Sequence, residues 1–218
     1  MNELDPSELS SQLRKPTGET GLGVAAMLNK SNRGLYDLAW SVLKREPSQR
    51  LLEIGFGNGN HFSRYFESES ARHVTGLDFS PTMCEEAQLN HSGWIENGKL
   101  EIVCADSKEM PFEAEEFDWV IALNVIYFWE PPEPHLDQLM RVLKPGGHLL
   151  FGFRPRSNVE HLEFTKQNFI LYEPEELKAL IEQAGFQVVQ ELSRQFEMEP
   201  DNGEPISVTD ICMVAKKE

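Results

Sequence analysis

Residues 51–60 read Leu-Leu-Glu-Ile-Gly-Phe-Gly-Asn-Gly-Asn, and a second apolar run ends in Val74-Thr-Gly-Leu-Asp78. In the first stretch an apolar strand leads into an acidic residue, Glu53, and then into glycines at 55, 57 and 59. Glycine tolerates the positive φ of a tight turn and leaves no Cβ between backbone and ligand. The loop opens a helix whose first N–H groups lack intrahelical partners and face the crevice beyond the strand ends. Asp78 follows Gly55 by 78 − 55 = 23 residues, close to where doubly wound nucleotide-binding folds place a carboxylate for ribose hydroxyls. The pairing predicts an adenosine-containing cofactor.

Spacing and charge narrow the choice. The dinucleotide fingerprint is G-x-G-x-x-G, with the third glycine packing helix on strand. Here the residue three after Gly57 is Asn60, and the pattern is Glu53-x-Gly55-x-Gly57-x-Gly59. A carboxylate two positions before the first glycine sits poorly beside a pyrophosphate. S-adenosylmethionine carries an α-ammonium and a sulfonium instead of phosphates, so Glu53 favours it over a nicotinamide dinucleotide.

The chain has 218 residues, enough for one or two domains and an ample apolar core. Its net charge of −16 repels phosphate backbones, so nucleic acid is a poor partner. Cys84, Cys104 and Cys212 show no metal-ligand spacing and read as small apolar core residues in a reducing compartment. No metal site is expected. The N-terminus lacks the basic flank and apolar core of a signal peptide, and the apolar stretch Trp119–Trp129 is too short to span a bilayer. A soluble, cytoplasmic protein is expected, with its oligomeric state open.

Strand-length apolar runs at Arg50–Ile54, Val74–Asp78, Leu100–Ala105, Asp118–Leu123 and His148–Phe153 alternate with helical candidates at Asn60–Glu67, Pro81–Asn90 and Glu133–Leu143. Ser80 and Pro81 form a helix-start signal, and Lys144-Pro-Gly-Gly147 forces a turn. A helix at Glu175–Ala184 and strands at Gln187–Leu192 and Thr209–Ala215 follow, with a polar hairpin loop over 197–205. The expected fold is α/β: a doubly wound, mostly parallel seven-stranded sheet with one antiparallel strand near the edge and helices on both faces. Residues 1–47 form a helical extension to this single domain, which spans 48–218. Helical spacing appears at Val24–Asn29 and Arg33–Arg45, either as a cap over the cofactor cleft or as an appendage on the sheet, and Gly18–Gly23 reads as a mobile lid.

Taken in order, the Leu51–Gly59 loop, Val74–Pro81, Cys104–Phe112, Phe117–Val125 and Met140–Leu150 resemble the successive motifs of the Rossmann-like S-adenosylmethionine-dependent methyltransferases. The flavour is that of the small-molecule branch that includes the ubiquinone and menaquinone C-methyltransferases. The resemblance covers about residues 48–192 and leaves the N-terminal segment without a motif.

The resemblance implies a set of roles. Gly55, Gly57 and Gly59 lie under the methionine part of the cofactor, and Glu53 orients that loop and faces the ammonium. Asp78 accepts hydrogen bonds from both ribose hydroxyls, as a carboxylate can do bidentately. Phe79 packs on the adenine face, or is core. Asp106 reads the adenine amino group, or is a turn carboxylate or helix cap; Ser107 supplies a backbone N–H to the ring. Asn124 ends the fourth strand beside the sulfonium and the acceptor. The Lys144–Gly147 turn is a family hallmark with a structural task.

Methyl transfer from a sulfonium needs chiefly a well-placed nucleophile, and a general base only when the acceptor must lose a proton first. Where many relatives carry histidines after the fourth strand, this chain has Tyr127 and Phe128. A tyrosine is a poor base at neutral pH, so Tyr127 reads as an orienting donor or an aromatic wall, or as packing alone; Phe128 and Trp129 read as packing. In the insert after the fifth strand, Arg154 and Arg156 either hold an acceptor carboxylate or phosphate or pair with Glu160 and Glu163, and His161 is the insert's one candidate base. The function expected is methyl transfer to a small-molecule acceptor. The alternatives are a non-catalytic or partner-dependent S-adenosylmethionine-binding protein and a nicotinamide-dependent oxidoreductase.

Overall fold

The computed structural model describes residues 4–43, 48–69, 71–198 and 206–218. Three helices come first: α1 (Pro6–Arg14), α2 (Gly18–Ser31) and α3 (Arg33–Leu43). Strands and helices then alternate as β1 (Ser48–Ile54), α4 (Phe62–Glu67), β2 (Ala71–Asp78), α5 (Pro81–Asn90), α6 (Ser92–Glu96), β3 (Leu100–Cys104) and β4 (Phe117–Leu123). After β4 come α7 (Glu133–Val142), β5 (Leu143–Phe153), α8 (Arg156–Val159), α9 (Pro174–Gln183), β6 (Phe186–Met198) and β7 (Ile206–Lys217). The sheet has seven strands in the order β3-β2-β1-β4-β5-β7-β6. β1 to β5 pair in parallel, and β7 runs antiparallel to both β5 and β6. The strand order reverses between β1 and β4, so the crevice beyond their C-terminal ends is where such sheets hold ligands.

Local chemistry sets the element ends. α5 starts at Ser80, whose side chain accepts from the Met83 N–H at 3.3 Å, with Pro81 as its first residue. α9 starts where the Glu176 carboxylate accepts from the Glu173 N–H at 2.8 Å. The Lys144–Gly147 segment is more than a turn into β5. Leu143 already pairs with Phe117, the next pair is Trp119 with His148, and the residues between loop out opposite Asp118. Lys144 Nζ reaches Asp118 Oδ1 at 2.6 Å, Gly146 has φ +76°, and a Cβ on Gly147 would stand 2.8 Å from the Lys144 carbonyl oxygen. The motif is therefore a bulge that only glycine allows. β6 and β7 are 13 and 12 residues long and exceed their expected lengths, because each pairs with the other beyond the part β7 shares with β5. Most of the expected hairpin loop, 199–205, lies outside the described residues.

Strand alternation splits the core into two faces. Leu52, Ile54, Val120, Ala122, Leu149 and Phe151 pack under α7 and α9. Leu51, Val74, Trp119, Ile121 and Leu150 pack with Leu35, Ala39, Trp40 and Leu43 of α3 and with Phe62 and Tyr65 of α4. Residue 53 falls by alternation on the α3–α4 side, so the Glu53 carboxylate is driven inside, 1% exposed.

The first two helices cross the cleft. Ser10 of α1, fully buried, donates to the Gln167 carbonyl at 2.6 Å and accepts from Asn168 Nδ2 at 3.2 Å. On the other side the Ser80 hydroxyl donates to the Pro16 carbonyl, and the Gly18 N–H donates to Thr82 Oγ1 at 3.3 Å. Gly18–Gly23 is thus not a mobile lid but the first turns of α2. Gly21 is buried so tightly on Pro16 that a Cβ would lie 2.6 Å from its carbonyl carbon.

A buried ion pair ties α2 to the sheet. Arg154 Nε donates to Asp210 Oδ1 at 2.9 Å and Nη2 to the Ser31 carbonyl at 2.7 Å. The Asp210 side chain is 0% exposed and that of Arg154 15%. Breaking such a pair from one side leaves a buried charge without compensation and costs about 3–5 kcal/mol. Arg154→Met should lower stability by about that amount in urea unfolding, and adding Asp210→Asn should recover part of it. A single-variant loss below about 1 kcal/mol would show that water, not Arg154, balances Asp210.

Candidate functional site

The site is built around two carboxylates on adjacent strands. Glu53 on β1 accepts the Tyr65 hydroxyl at 2.8 Å and the Tyr36 hydroxyl at 3.4 Å, and His61 Nε2 lies 2.8 and 2.9 Å from its two oxygens. The Tyr36 and His61 rings pack at a tilt, with centroids 4.2 Å apart. Burial first, and the Glu53 charge next, push the Tyr36 and Tyr65 phenols well above their ordinary pKa, so both are donors to a carboxylate that water cannot reach.

Above Glu53 runs the glycine loop. Gly55, Gly57 and Gly59 all have positive φ, +68°, +60° and +65°. Their surroundings differ. A Cβ on Gly55 would lie 2.5 Å from Val125 Cγ2 and one on Gly59 2.6 Å from Phe62, whereas at Gly57 nothing stands within 4 Å. Gly55, Phe56, Gly57 and Asn58 line a cavity; Gly59 and Glu53 lie behind it. Asp78 lines the same cavity and pins the loop, with Oδ2 accepting the Gly57 N–H at 3.1 Å and Oδ1 the Ser80 N–H at 2.9 Å. Burial raises the Asp78 pKa to about 6 against the downward pull of those N–H groups, and the Glu53 charge adds to the rise.

Phe79, Asp106 and Ser107 line the cavity beyond the tips of β2 and β3. Lys15 Nζ stands 5.0 Å from the Phe79 ring centroid. Asp106 is exposed and accepts the Lys108 N–H at 3.0 Å, as in a local turn. Ser107 is buried, with Oγ 2.6 Å from His135 Nδ1. Burial lowers the His135 pKa to about 4, which keeps the ring neutral at pH 7, and the ring stacks on Trp129 at 4.6 Å. Both rings line the cavity.

Asn124 lines the opposite side at the end of β4, with φ +56°, a conformation asparagine tolerates better than most residues. Tyr127 does not line it. Its hydroxyl accepts the Arg154 N–H at 2.5 Å and stands 3.2 Å from the Arg154 carbonyl and 3.4 Å from Asn124 Oδ1, so it braces Asn124 from behind. Arg154, Arg156 and His161 also lie away from the lining. Arg154 belongs to the buried pair with Asp210; Arg156 reaches Glu176 and the Leu171 carbonyl, while Glu163 pairs with Lys166, so the expected pairing with Glu160 and Glu163 is replaced. Phe128 and Trp129 pack as expected, Phe128 against Phe169 and Trp129 against Phe151, and they line the cavity as well.

The rest of the wall comes from the motif-free N-terminus. Arg14, Leu28, Asn29, Asn32 and Tyr36 all line the cavity. Helical periodicity located α3 but could not say what its polar residues meet, and nothing in the spacing of His135 pointed to Ser107.

Comparison with known proteins agrees with this geometry. Residues 52–151 match the family model described as a methyltransferase domain. The chain is 32% identical over 121 residues to a phthiotriol/phenolphthiotriol dimycocerosates methyltransferase of Mycobacterium leprae, covering 55% of this chain and 43% of that protein. It is 32% identical over 102 residues to a demethylmenaquinone methyltransferase of Clavibacter sepedonicus, covering 47% of this chain and 40% of that one. The chain thus spans less than half the length of either relative. Among solved structures, one from the complex between the Haloferax volcanii Trm112 methyltransferase activator and a methyltransferase superposes with a TM-score of 0.75 at 17% identity, over 96% of this chain and 97% of that one. That likeness is one of fold. Among the described residues no helix is long and apolar enough to cross a membrane. Residues 52–151 thus match the methyltransferase domain model, and the seven-stranded sheet has the Rossmann-like fold of the class I methyltransferases.

Proposed function

We propose that the protein transfers a methyl group from S-adenosylmethionine to a small-molecule acceptor held between the N-terminal helices and the end of β4. The observation that carries this reading is a single cavity that brings together the glycine loop, the buried Asp78 carboxylate, Asn124 and the polar face of α2–α3. The residues fit the cofactor. At Gly57 there is open space where a side chain would be, and Asp78 offers a buried carboxylate to a ribose diol. The Glu53 charge behind the loop suits a cation better than a pyrophosphate.

Bound S-adenosylmethionine supplies a methyl group already activated as a sulfonium. Asp78 holds the ribose, Phe79 and the Ser107 backbone the base, and the Gly55–Asn58 loop the methionine end. Glu53 keeps that loop in shape through Tyr36, His61 and Tyr65 and does not touch the cofactor itself. On the helical side, among the described residues, the polar lining groups are Arg14, Asn29, Asn32 and Tyr36. None is a base at neutral pH, and Tyr36 is pushed further from that role by burial. Catalysis is therefore by placement: Asn29, Asn32 and Asn124 orient the nucleophile, and Phe128 and the helices exclude water. Such positioning can supply about 7–11 kcal/mol.

Three outcomes follow. Asp78→Ala should weaken binding of S-adenosylhomocysteine more than about tenfold by isothermal titration, since it removes charge-assisted acceptors; unchanged affinity would sink the ribose assignment. Affinity should also depend on pH. The diol donates to the ionised carboxylate, so binding is full well above pH 6 and falls as pH drops through about 6. For folding the sign is opposite: a carboxyl whose folded pKa lies above its ordinary 3.8 destabilises the native state above about pH 6 and is relieved below it. Titration in buffers of different ionisation heat should show proton release on binding near pH 6, absent in Asp78→Ala. Last, a panel of amines, phenols, thiols and carbon acids with methyl-labelled cofactor should yield a labelled small molecule. Asn32→Ala should cut its kcat/KM about tenfold or more while leaving S-adenosylhomocysteine affinity unchanged. Transfer to none of these classes by a protein that binds the cofactor would overturn the small-molecule acceptor.

A further inference from the structure

Cys84 and Cys104 lie together beneath the ribose side of the cavity. Cys84 sits in the first turns of α5, 3% exposed, and its thiol donates to the main-chain carbonyl of Asp78 at 3.4 Å. The same carbonyl accepts the Ala105 N–H at 3.1 Å, and Cys104, one residue earlier, is the ladder partner of Asp78. Neighbouring strands run about 4.8 Å apart, so the Cys84 sulfur hangs beside the end of β3. By strand alternation Cys104 shares the side of the sheet taken by Leu100 and Ile102, the side on which Cys84 packs, so both thiols stand on one face at the tip of β3. Both are unoxidised, and Cys104 is exposed. The expectation that all three cysteines are core residues thus holds for Cys84 and Cys212 and fails for Cys104, which lies on the sheet's edge strand.

An exposed thiol backed by a buried one is the arrangement of an oxidant-sensitive pair. We propose that Cys104 and Cys84 close to a disulfide under hydroperoxide and that closure weakens cofactor binding. The second half of this inference rests on the cofactor assignment to this cavity. The Cys104 sulfur attacks the peroxide: an S–O bond forms, the O–O bond breaks, and one water leaves behind a sulfenic acid. The Cys84 sulfur then displaces that hydroxyl: the S–S bond forms, the S–O bond breaks, and the hydroxyl departs as water with the Cys84 proton. Two thiols lose two electrons and two protons, and the peroxide is reduced to two waters.

The coupling to the cavity is short. The Cys84 N–H donates to the Ser80 carbonyl at 3.0 Å, and the Ser80 N–H donates to Asp78 Oδ1 at 2.9 Å. Closing a disulfide of roughly 2.05 Å draws the Cys84 sulfur toward Cys104 and moves the first turn of α5 against the tip of β3. It shifts the residue that holds the Asp78 carboxylate, and it ends the thiol's donation to the Asp78 carbonyl. On the other strand, Cys104 directly precedes Ala105, Asp106 and Ser107, which line the cavity.

The test uses the whole chain. The reduced protein is titrated with S-adenosylhomocysteine, treated with hydrogen peroxide, titrated again, then alkylated under denaturation and weighed. The expected result is a loss of about 2 Da before alkylation and a single alkylated thiol, Cys212, which is fully buried in β7. Affinity should fall at least about fivefold and return with dithiothreitol, and Cys104→Ser should show neither change. A disulfide-linked dimer would overturn the pair. So would a gain of about 32 or 48 Da at Cys104 with Cys84 still alkylated. A disulfide that leaves affinity unchanged would overturn its link to the cavity. A reduced protein that does not bind S-adenosylhomocysteine would overturn the cofactor assignment and the affinity half together, while the mass readout decides the thiol pair by itself.

Discussion

The alternation of β1 places a carboxylate, Glu53, in the interior, and the neighbouring structure is arranged to hold that charge. A buried carboxylate needs donors, and Glu53 finds three side chains, one on the N-terminal α3 and two on the helical stretch after the glycine loop. That requirement couples the cap to the loop. Tyr36 cannot reach Glu53 unless α3 lies on the sheet, and His61 and Tyr65 cannot unless the loop turns back over β1. The glycines make the turn possible, and Glu53 makes it necessary.

Asp78, one strand over, uses the same loop differently. Its two oxygens accept N–H groups from Gly57 and Ser80, yet burial and the nearby Glu53 still raise its pKa to about 6. An ionised group held at a cost in the free protein gains most from a ligand that brings further donors. The two carboxylates thus divide the work: one is held by side chains and shapes the loop, the other is held by backbone N–H groups and faces the cavity.

The acceptor side follows another rule. Its wall comes from helices with no motif, held by hydrogen bonds at Ser10 in the middle of α1 and at Pro16 just beyond it, and by the buried Arg154–Asp210 pair under α2. Arg154, a cation in an acidic chain, could be read as an anion-binding group or as a partner of nearby glutamates. The fold uses it for a buried internal charge, and Tyr127 serves to brace Arg154 and Asn124. In the proposed reaction the acceptor is oriented instead by Asn29, Asn32 and Asn124, and the meaning of the first two depends on which way α2 faces. α1 itself carried a readable start, with Asp5 capping the Glu8 N–H at 2.8 Å and Pro6 following, but no apolar stripe strong enough to announce it.

What the sequence alone determined is the half of the protein governed by local rules. Strand runs of period two, glycines at 55, 57 and 59, and the Ser80-Pro81 start are short-range signals, and the interval from Gly55 to Asp78 carries the cofactor side because consecutive βα units sit side by side. Tertiary structure decided the rest: that Gly55 and Gly57 line the cavity while Gly59 packs behind it, that Lys144–Gly147 bulges within a strand, that His135 meets Ser107, and that Cys84 and Cys104 share one side of the sheet. Each of these depends on contacts between segments 20 or more residues apart, or on which face of an element is covered. Such placements arise from packing the two sheet faces, which no local pattern encodes.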